Sequence, residues 1–346
     1  MPIRNRRNDP QNNTGVDANQ FVTSGAGTVG SPWILNTSAI DAVADGTTII
    51  FRANKNYGVV SSSGLRILHG KQRVSFRGNG ATLWNASGAE LDCLISIGAW
   101  NNDGTPTPSD TAATIAATVR DFVFNGGVHG VTRGLRINSG HFCLYENLDI
   151  RNYKKFGALN LGGVQSDFNR IYCNNDQLGG TFTRYFTPET AIQISGSPST
   201  TGIWTPSTIT LRHFEGRGHS KDGCRIFDAF NTHIASSAFE GAVQGPEYGA
   251  GDGATSTPPY TGDNSYLDQE LYTKGNKGCG IYIGANTIGT VITNTDCEEC
   301  NNYPNGGGYK MGIIVDDGAR DTLLENCYAF DSMTCVNNGA AQTTII

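Results

Sequence analysis

A short pattern recurs along this chain: one apolar residue, two variable ones, a second apolar residue, one variable residue, and then a small or apolar one. It appears as Val119-Arg-Asp-Phe122-Val-Phe124, Tyr145-Glu-Asn-Leu148-Asp-Ile150, Phe168-Asn-Arg-Ile171-Tyr-Cys173, Leu211-Arg-His-Phe214-Glu-Gly216, Ile234-Ala-Ser-Ser237-Ala-Phe239, Ile292-Thr-Asn-Thr295-Asp-Cys297 and Leu324-Glu-Asn-Cys327-Tyr-Ala329. Val74-Ser-Phe76 reads as an earlier member. First positions 145 and 168, like 211 and 234, lie 23 residues apart, and the remaining intervals run from 26 to 58. A base period near 23 with insertions accounts for them. Ahead of most copies stands a second short run with period-two alternation: Gly134–Ile137, Gly157–Leu161, Ala191–Ile194, Gly223–Ile226, Gly280–Ile283 and Gly312–Val315.

Strands this short cannot bury a face alone and must stack on their neighbours. Two or more strands per repeat, closed by Gly and Asn corners that tolerate the left-handed backbone, predict an all-β, single-stranded, right-handed parallel β-helix. Asn147, Asn294 and Asn326 fall in one column, the signature of a partial asparagine ladder. A leucine-rich solenoid would need an L-x-x-L-x-L framework and alternating helices, and neither recurs.

Composition narrows the functional classes. The 346 residues carry 25 basic and 31 acidic side chains, a net charge of −6, which argues against a nucleic-acid binder. Charged residues make up 16%, against a usual share of about 25%. Glycine, at 45 residues, is about twice its usual share, which disfavours a helical bundle. No run approaches 18 apolar residues, and the basic start Met1-Pro-Ile-Arg-Asn-Arg-Arg7 leads into a polar stretch. The reading is therefore neither a membrane span nor an export signal. Nine cysteines are an odd number, which an oxidised scaffold would not favour. They read as reduced thiols in a core ladder. Cys297-Glu-Glu-Cys300 is the one metal-like spacing, without a second pair to complete it.

The expected organisation is an N-terminal arm at 1–20, a capping segment at 21–45 with a short helix from Thr37 to Ala44, the β-helix at 46–335, and a tail at 336–346. Long insertions fall at about 98–117, 175–190, 196–207, 241–278 and 301–310. Such loops in a regular solenoid tend to carry function. The longest holds Tyr248 and Tyr260 among Gly, Asp and Asn, a composition suited to sugar contact or, equally, to plain surface decoration.

At Asp45-Gly-Thr-Thr-Ile-Ile-Phe-Arg-Ala53 and Val74-Ser-Phe-Arg-Gly-Asn-Gly-Ala-Thr-Leu83, followed by the stacked repeats, the chain resembles the pectate-lyase-like β-helix superfamily, and within it bacteriophage tailspikes and polysaccharide depolymerases. The resemblance spans about residues 40 to 335. It implies a bacterial surface polysaccharide as partner, a homotrimer, an arm joined to a virion tail or head protein, and residence on the virion. The alternative is a spike that holds a glycan without cutting it. The Asn-Thr-Asp, Asp-Asp, Gly-His-Gly and Arg-x-Lys series of polygalacturonase-type hydrolases is not reproduced: Asn294-Thr-Asp296 is present, but Gly218-His219-Ser220 precedes it.

Alternation along a strand points the residue between the second and third core positions outward. That column reads Val123, Asp149, Tyr172, Glu215, Ala238, Asp296, Tyr328. With coils about 4.8 Å apart, Asp149 and Glu215 stand roughly 9–10 Å apart across Tyr172. Inverting glycosidases separate their carboxyls by about 6.5–9.5 Å. Asp149 and Glu215 are thus the expected acid–base pair, with Tyr172 as a stacking platform; ordinary acids on a solvated face are the competing reading. A second cluster, His219, Lys221, Asp222 and Arg225, would suit a charged sugar or a β-elimination; Asp222-Gly223 turn chemistry explains part of it. Hydrolysis is preferred over elimination. No cofactor is expected, although scattered Asp and Asn would suit Ca²⁺ without forming an EF-hand pattern.

Overall fold

The computed structural model describes residues 14–98, 113–174, 188–199, 202–217, 219, 222–239, 279–284, 286–297, 311–316, 318–328, 333–338 and 343–346. Among them, two long parallel sheets wind around one core. A wide sheet of 15 strands runs along one side and a narrow sheet of nine strands along another. A third column of single bridges, from Gln72 and Ile115 through His141, Val164, Ser207, Phe230 and Ile288 to Arg320, closes each coil. One coil illustrates the path: Leu144–Arg151 on the wide sheet, Tyr153–Leu161 on the narrow sheet, a bridge at Val164, and Asp167–Asn174 back on the wide sheet one rung higher. This is the right-handed parallel β-helix that the repeat predicts.

The repeat register is the structural register. Val119, Tyr145, Phe168, Leu211, Ile234, Ile292 and Leu324 pair in succession across the wide sheet, and Phe76 precedes them. On the narrow sheet, Leu135, Ala158, Ile192, Cys224, Ile281 and Ile313 do the same. These side chains point inward and are almost wholly buried. Aromatic rings stack between rungs, with centroids 4.7 Å apart for Tyr145 and Phe168 and 5.7 Å for Phe214 and Phe239. Glycine fills the inner column of the narrow sheet where it passes close to the wide one: a Cβ on Gly134 would lie 2.2 Å from Ile150 Cγ2. Cys93, Cys143, Cys173, Cys224, Cys279 and Cys297 are buried, and Cys327 is half-buried.

Two columns of left-handed residues set the bends. One lies within the wide strands: Asn79, Asp121, Asn147, Arg170, His213, Ser236, Asn294 and Asn326 all have φ near +50 to +60°. Its side chains form the expected ladder in two places, where Asn147 Nδ2 donates to Asp121 Oδ1 at 3.0 Å and Asn326 Nδ2 donates to Asn294 Oδ1 at 2.6 Å. The other lies at the corner entering the wide sheet: Arg73, Ala116, Phe142, Gln165, Thr208, Asn231, Gly289 and Asp321. From Arg73 to Gly289 the backbone N–H at this corner donates to a carbonyl of the next coil, at 2.8 to 3.1 Å. This corner is thus not reserved for Gly and Asn, because an inter-coil hydrogen bond holds even Phe and Thr in a conformation they disfavour.

Both ends differ from the expected boundaries. Thr14–Asp17 is already a strand, paired with Thr47–Ile50, inside the segment read as an arm. The 3₁₀ turn Ala18–Phe21 follows, capped by Asp17 and seating Ala18 in the core. Residues 1–13 lie outside the described residues. The capping helix is Thr37–Asp41, shorter than expected; Asn36 Oδ1 accepts from Ala39 N at 3.1 Å, and Ile40 plugs the core. At the other end Met333–Asn338 and Thr344–Ile345 continue the two sheets, so strands of both sheets lie within the segment read as a tail.

Candidate functional site

The outward column of the wide sheet is continuous. Asn56, Thr82, Val123, Asp149, Tyr172, Glu215, Ala238, Asp296 and Tyr328 are successive neighbours across the coils. Parallel pairing at one residue per coil leaves each of these side chains above the same surface line. Tyr172 is 40% exposed and Tyr328 65%. The carboxylates flanking Tyr172 are each closed by the arginine two residues further along the same strand. Arg151 Nε donates to Asp149 Oδ1 at 2.9 Å and its Nη2 donates to Oδ2, forming a two-pronged pair. Arg217 Nε pairs with Glu215 Oε1. All four side chains are about one-third exposed, so these pairs lie at the surface.

The result is a planar tyrosine face with a carboxylate–guanidinium pair on either side, offering acceptors and donors at the spacing of two coils. Such a surface can stack on a sugar ring and bond its hydroxyls. Sequence reasoning singled out Asp149, Tyr172 and Glu215 but missed Arg151 and Arg217. The repeated acid-x-Arg spacing, Asp149-Ile-Arg151 and Glu215-Gly-Arg217, was the available signal.

The second cluster does not share this surface. Asp222 is fully buried; its Oδ2 accepts from Arg225 Nε at 2.6 Å, and its Oδ1 accepts from Cys279 N at 3.0 Å. Arg225 is 3% exposed and stands on the outer face of the narrow sheet, in register with Gln193 and Tyr282. His219 is fully buried with its ring over Gly216, where a Cβ would approach Cε1 to 3.0 Å, so the imidazole takes core space that the glycine leaves open. All three are buried away from the exposed Tyr172 surface, which departs from the expectation. Lys221, Tyr248 and Tyr260 lie outside the described residues.

The outer face of the narrow sheet is itself buried. It carries Cys93 and Ser96, then Arg133 and Arg136 converging on Asp92, then Phe156, Leu159 and Leu161, then Thr190, Gln193 and Ser195. Further along, Phe227, Cys279, Tyr282 and Ile314 join Phe156, Leu159 and Leu161 in a second apolar cluster. Burial pushes the Cys93 thiol up, with the Asp92 charge adding to it. Among the described residues no group of three or more His, Cys, Asp or Glu could hold a metal ion, and no helix is long and apolar enough to cross a membrane.

Comparison with solved structures gives the same architecture. A protein of Geobacillus virus E2, ORF18, superposes with a TM-score of 0.54 at 12% identity, over 96% of this chain and 62% of that one. The shared fold is a right-handed parallel β-helix. This chain thus spans less than two thirds of the viral protein's length. PfbA, a surface adhesin of Streptococcus pneumoniae, matches at 10% identity with a TM-score of 0.48 over 96% of this chain and 90% of that one. The pectate lyase Pel9A matches at 12% identity with a TM-score of 0.43 over 96% and 76%. No protein-family model matches the chain, and no curated protein matches it in sequence.

Proposed function

We propose that this protein binds and cleaves a bacterial surface polysaccharide on the outer face of its wide sheet, as the spike of a virion. The observation that carries the reading is the exposed Tyr172, set between Asp149–Arg151 and Glu215–Arg217 on adjacent coils. A flat aromatic face bracketed by charged hydrogen-bonding pairs suits a polyhydroxylated chain laid along the solenoid. The structural likeness to a viral protein supports the virion setting, where three copies side by side would present three such faces.

The test is binding of capsular polysaccharide or lipopolysaccharide, purified from a panel of bacterial strains, to the whole protein and to Tyr172→Ala. Losing one stacked ring costs about 1–3 kcal/mol by analogy with other aromatic platforms, so affinity should fall about 10- to 100-fold with the melting temperature unchanged. Binding to no glycan in the panel, or equal binding by the variant, would contradict the assignment. A trimer requires three times the chain mass in light scattering.

A second reading, a glycan-holding spike without hydrolysis, draws on one specific observation. Both Asp149 and Glu215 are engaged by arginines, which leaves that pair suited to accepting hydrogen bonds.

A further inference from the structure

The outward column contains a near-palindrome that the Asp149–Glu215 pairing overlooks. Over five consecutive coils it reads Tyr172, Glu215, Ala238, Asp296, Tyr328, and every step is a direct neighbour contact in register. Two exposed tyrosines bracket two carboxylates, and between the carboxylates stands a single small side chain. Glu215 and Asp296 are two coils apart, about 9–10 Å between backbones, and Ala238 places only a methyl group on the middle coil. In the Asp149–Glu215 pair the same middle position is filled by Tyr172.

The two carboxylates also differ chemically. Glu215 is paired with Arg217, which fixes its orientation at the surface. Asp296 forms no ion pair among the described residues, and its buried Oδ1 has no hydrogen-bond partner. An inverting glycosidase needs this asymmetry: one carboxyl that carries a proton to the leaving oxygen, and one carboxylate that takes a proton from water on the opposite face of the ring.

We propose that Glu215 and Asp296, facing each other across Ala238, are the catalytic pair of an inverting glycoside hydrolase, with Tyr172 and Tyr328 as flanking sugar platforms. This rests on the polysaccharide reading above and specifies where its cleavage occurs. Asp296 gives its proton to the glycosidic oxygen as the bond from that oxygen to the anomeric carbon breaks. A water molecule above Ala238 forms the new bond to the anomeric carbon and gives its proton to Glu215. One water is consumed, the leaving sugar departs as an alcohol, and the new reducing end has inverted configuration. Proton exchange with solvent restores both carboxyls.

The test uses the capsular polysaccharide or lipopolysaccharide that the whole protein binds, measuring binding and release of reducing ends separately. Asp296→Asn and Glu215→Gln should each lower kcat at least 1,000-fold with the melting curve unchanged, and Asp296→Asn should leave binding within about 3-fold. Asp149→Asn, which alters a binding group, should raise KM while costing kcat far less than Asp296→Asn. The first-formed anomer, followed by NMR, should be inverted. Ala238→Phe fills the gap and should abolish cleavage with Tyr172 still able to bind. Full activity of Asp296→Asn, loss of activity in Asp149→Asn alone, or retained configuration would each overturn the pairing. Tight binding with no cleavage by the unaltered protein would overturn it too, while the binding reading stands. Absence of binding to every glycan would remove both.

Discussion

The outer faces of the two sheets are built from the same kind of strand, on the same coils, and reach opposite ends. On the wide sheet the outward residues meet water: Asp149 and Arg151 pair at the surface, and Tyr172 is 40% exposed. On the narrow sheet they are sealed: Arg136, Leu159, Gln193, Arg225, Tyr282 and Ile314, one per coil, are each no more than 5% exposed. A parallel β-helix therefore has one obligatory core inside and, here, a second packed layer on one flank. Surface ion pairs contribute about 0–1 kcal/mol, whereas removing one partner of a buried pair costs about 3–5 kcal/mol because the other charge is stranded. The same chemistry thus has different energetic weight on the two flanks.

The comparison is tested most severely at the buried pair. Asp222→Ala strands Arg225 and should cost about 3–5 kcal/mol in denaturant unfolding, against under about 1 kcal/mol for Asp149→Ala. Equal costs would erase the distinction. Next in size, Leu159→Ala should behave as a core truncation at about 2–4 kcal/mol, although Leu159 faces away from the main core; Tyr172→Ala should cost about 0.5 kcal/mol or less.

Alkaline titration probes the sealed flank differently. Burial raises the Cys93 thiol above its ordinary value of 9.0, so the folded state keeps its proton where the unfolded chain has lost it. That stabilisation is complete below the ordinary thiol range and is lost as pH rises beyond it. The unfolding free energy should fall as pH is raised above about 9, and Cys93→Ala should fall less steeply. A further small effect is expected at the corner entering the wide sheet. Thr208, with φ +57°, should gain about 0.5–1 kcal/mol on replacement by glycine, since a β-branched side chain is strained there; a shift of the melting temperature reads it out.

The sequence pattern was enough to place the wide-sheet repeats in register, because inward-facing positions are apolar or small in every copy and the six-residue motif keeps its length from Val119 to Cys297. The outward column followed from alternation alone, which is why Asp149, Tyr172 and Glu215 could be named in order. What alternation cannot decide is whether outward means wet. Arg225 and Asp222 point away from the core as expected of their positions, yet they are buried, because covering contacts on the narrow flank come from far away in sequence: Cys279 reaches Asp222 across 57 residues. His219 escaped the pattern for another reason, since its ring occupies a vacancy created three residues earlier by Gly216. The ends were misjudged where polar composition suggested tails, whereas a strand such as Thr14–Asp17 needs only main-chain pairing and one sealed neighbour, Ala18.

The corner column of left-handed residues has a consequence for how such a chain can change over time. Each corner is keyed to the next coil by its own N–H bond, from Arg73 to Gly289, so the phase of every turn is reset locally rather than inherited from the turn before. Lengthening one loop, or duplicating or excising a whole turn between two corners, leaves the phase of the remaining turns intact. The scaffold works like an indexed rack, in which the surface column can acquire new side chains and new loops turn by turn without any other turn having to be rebuilt.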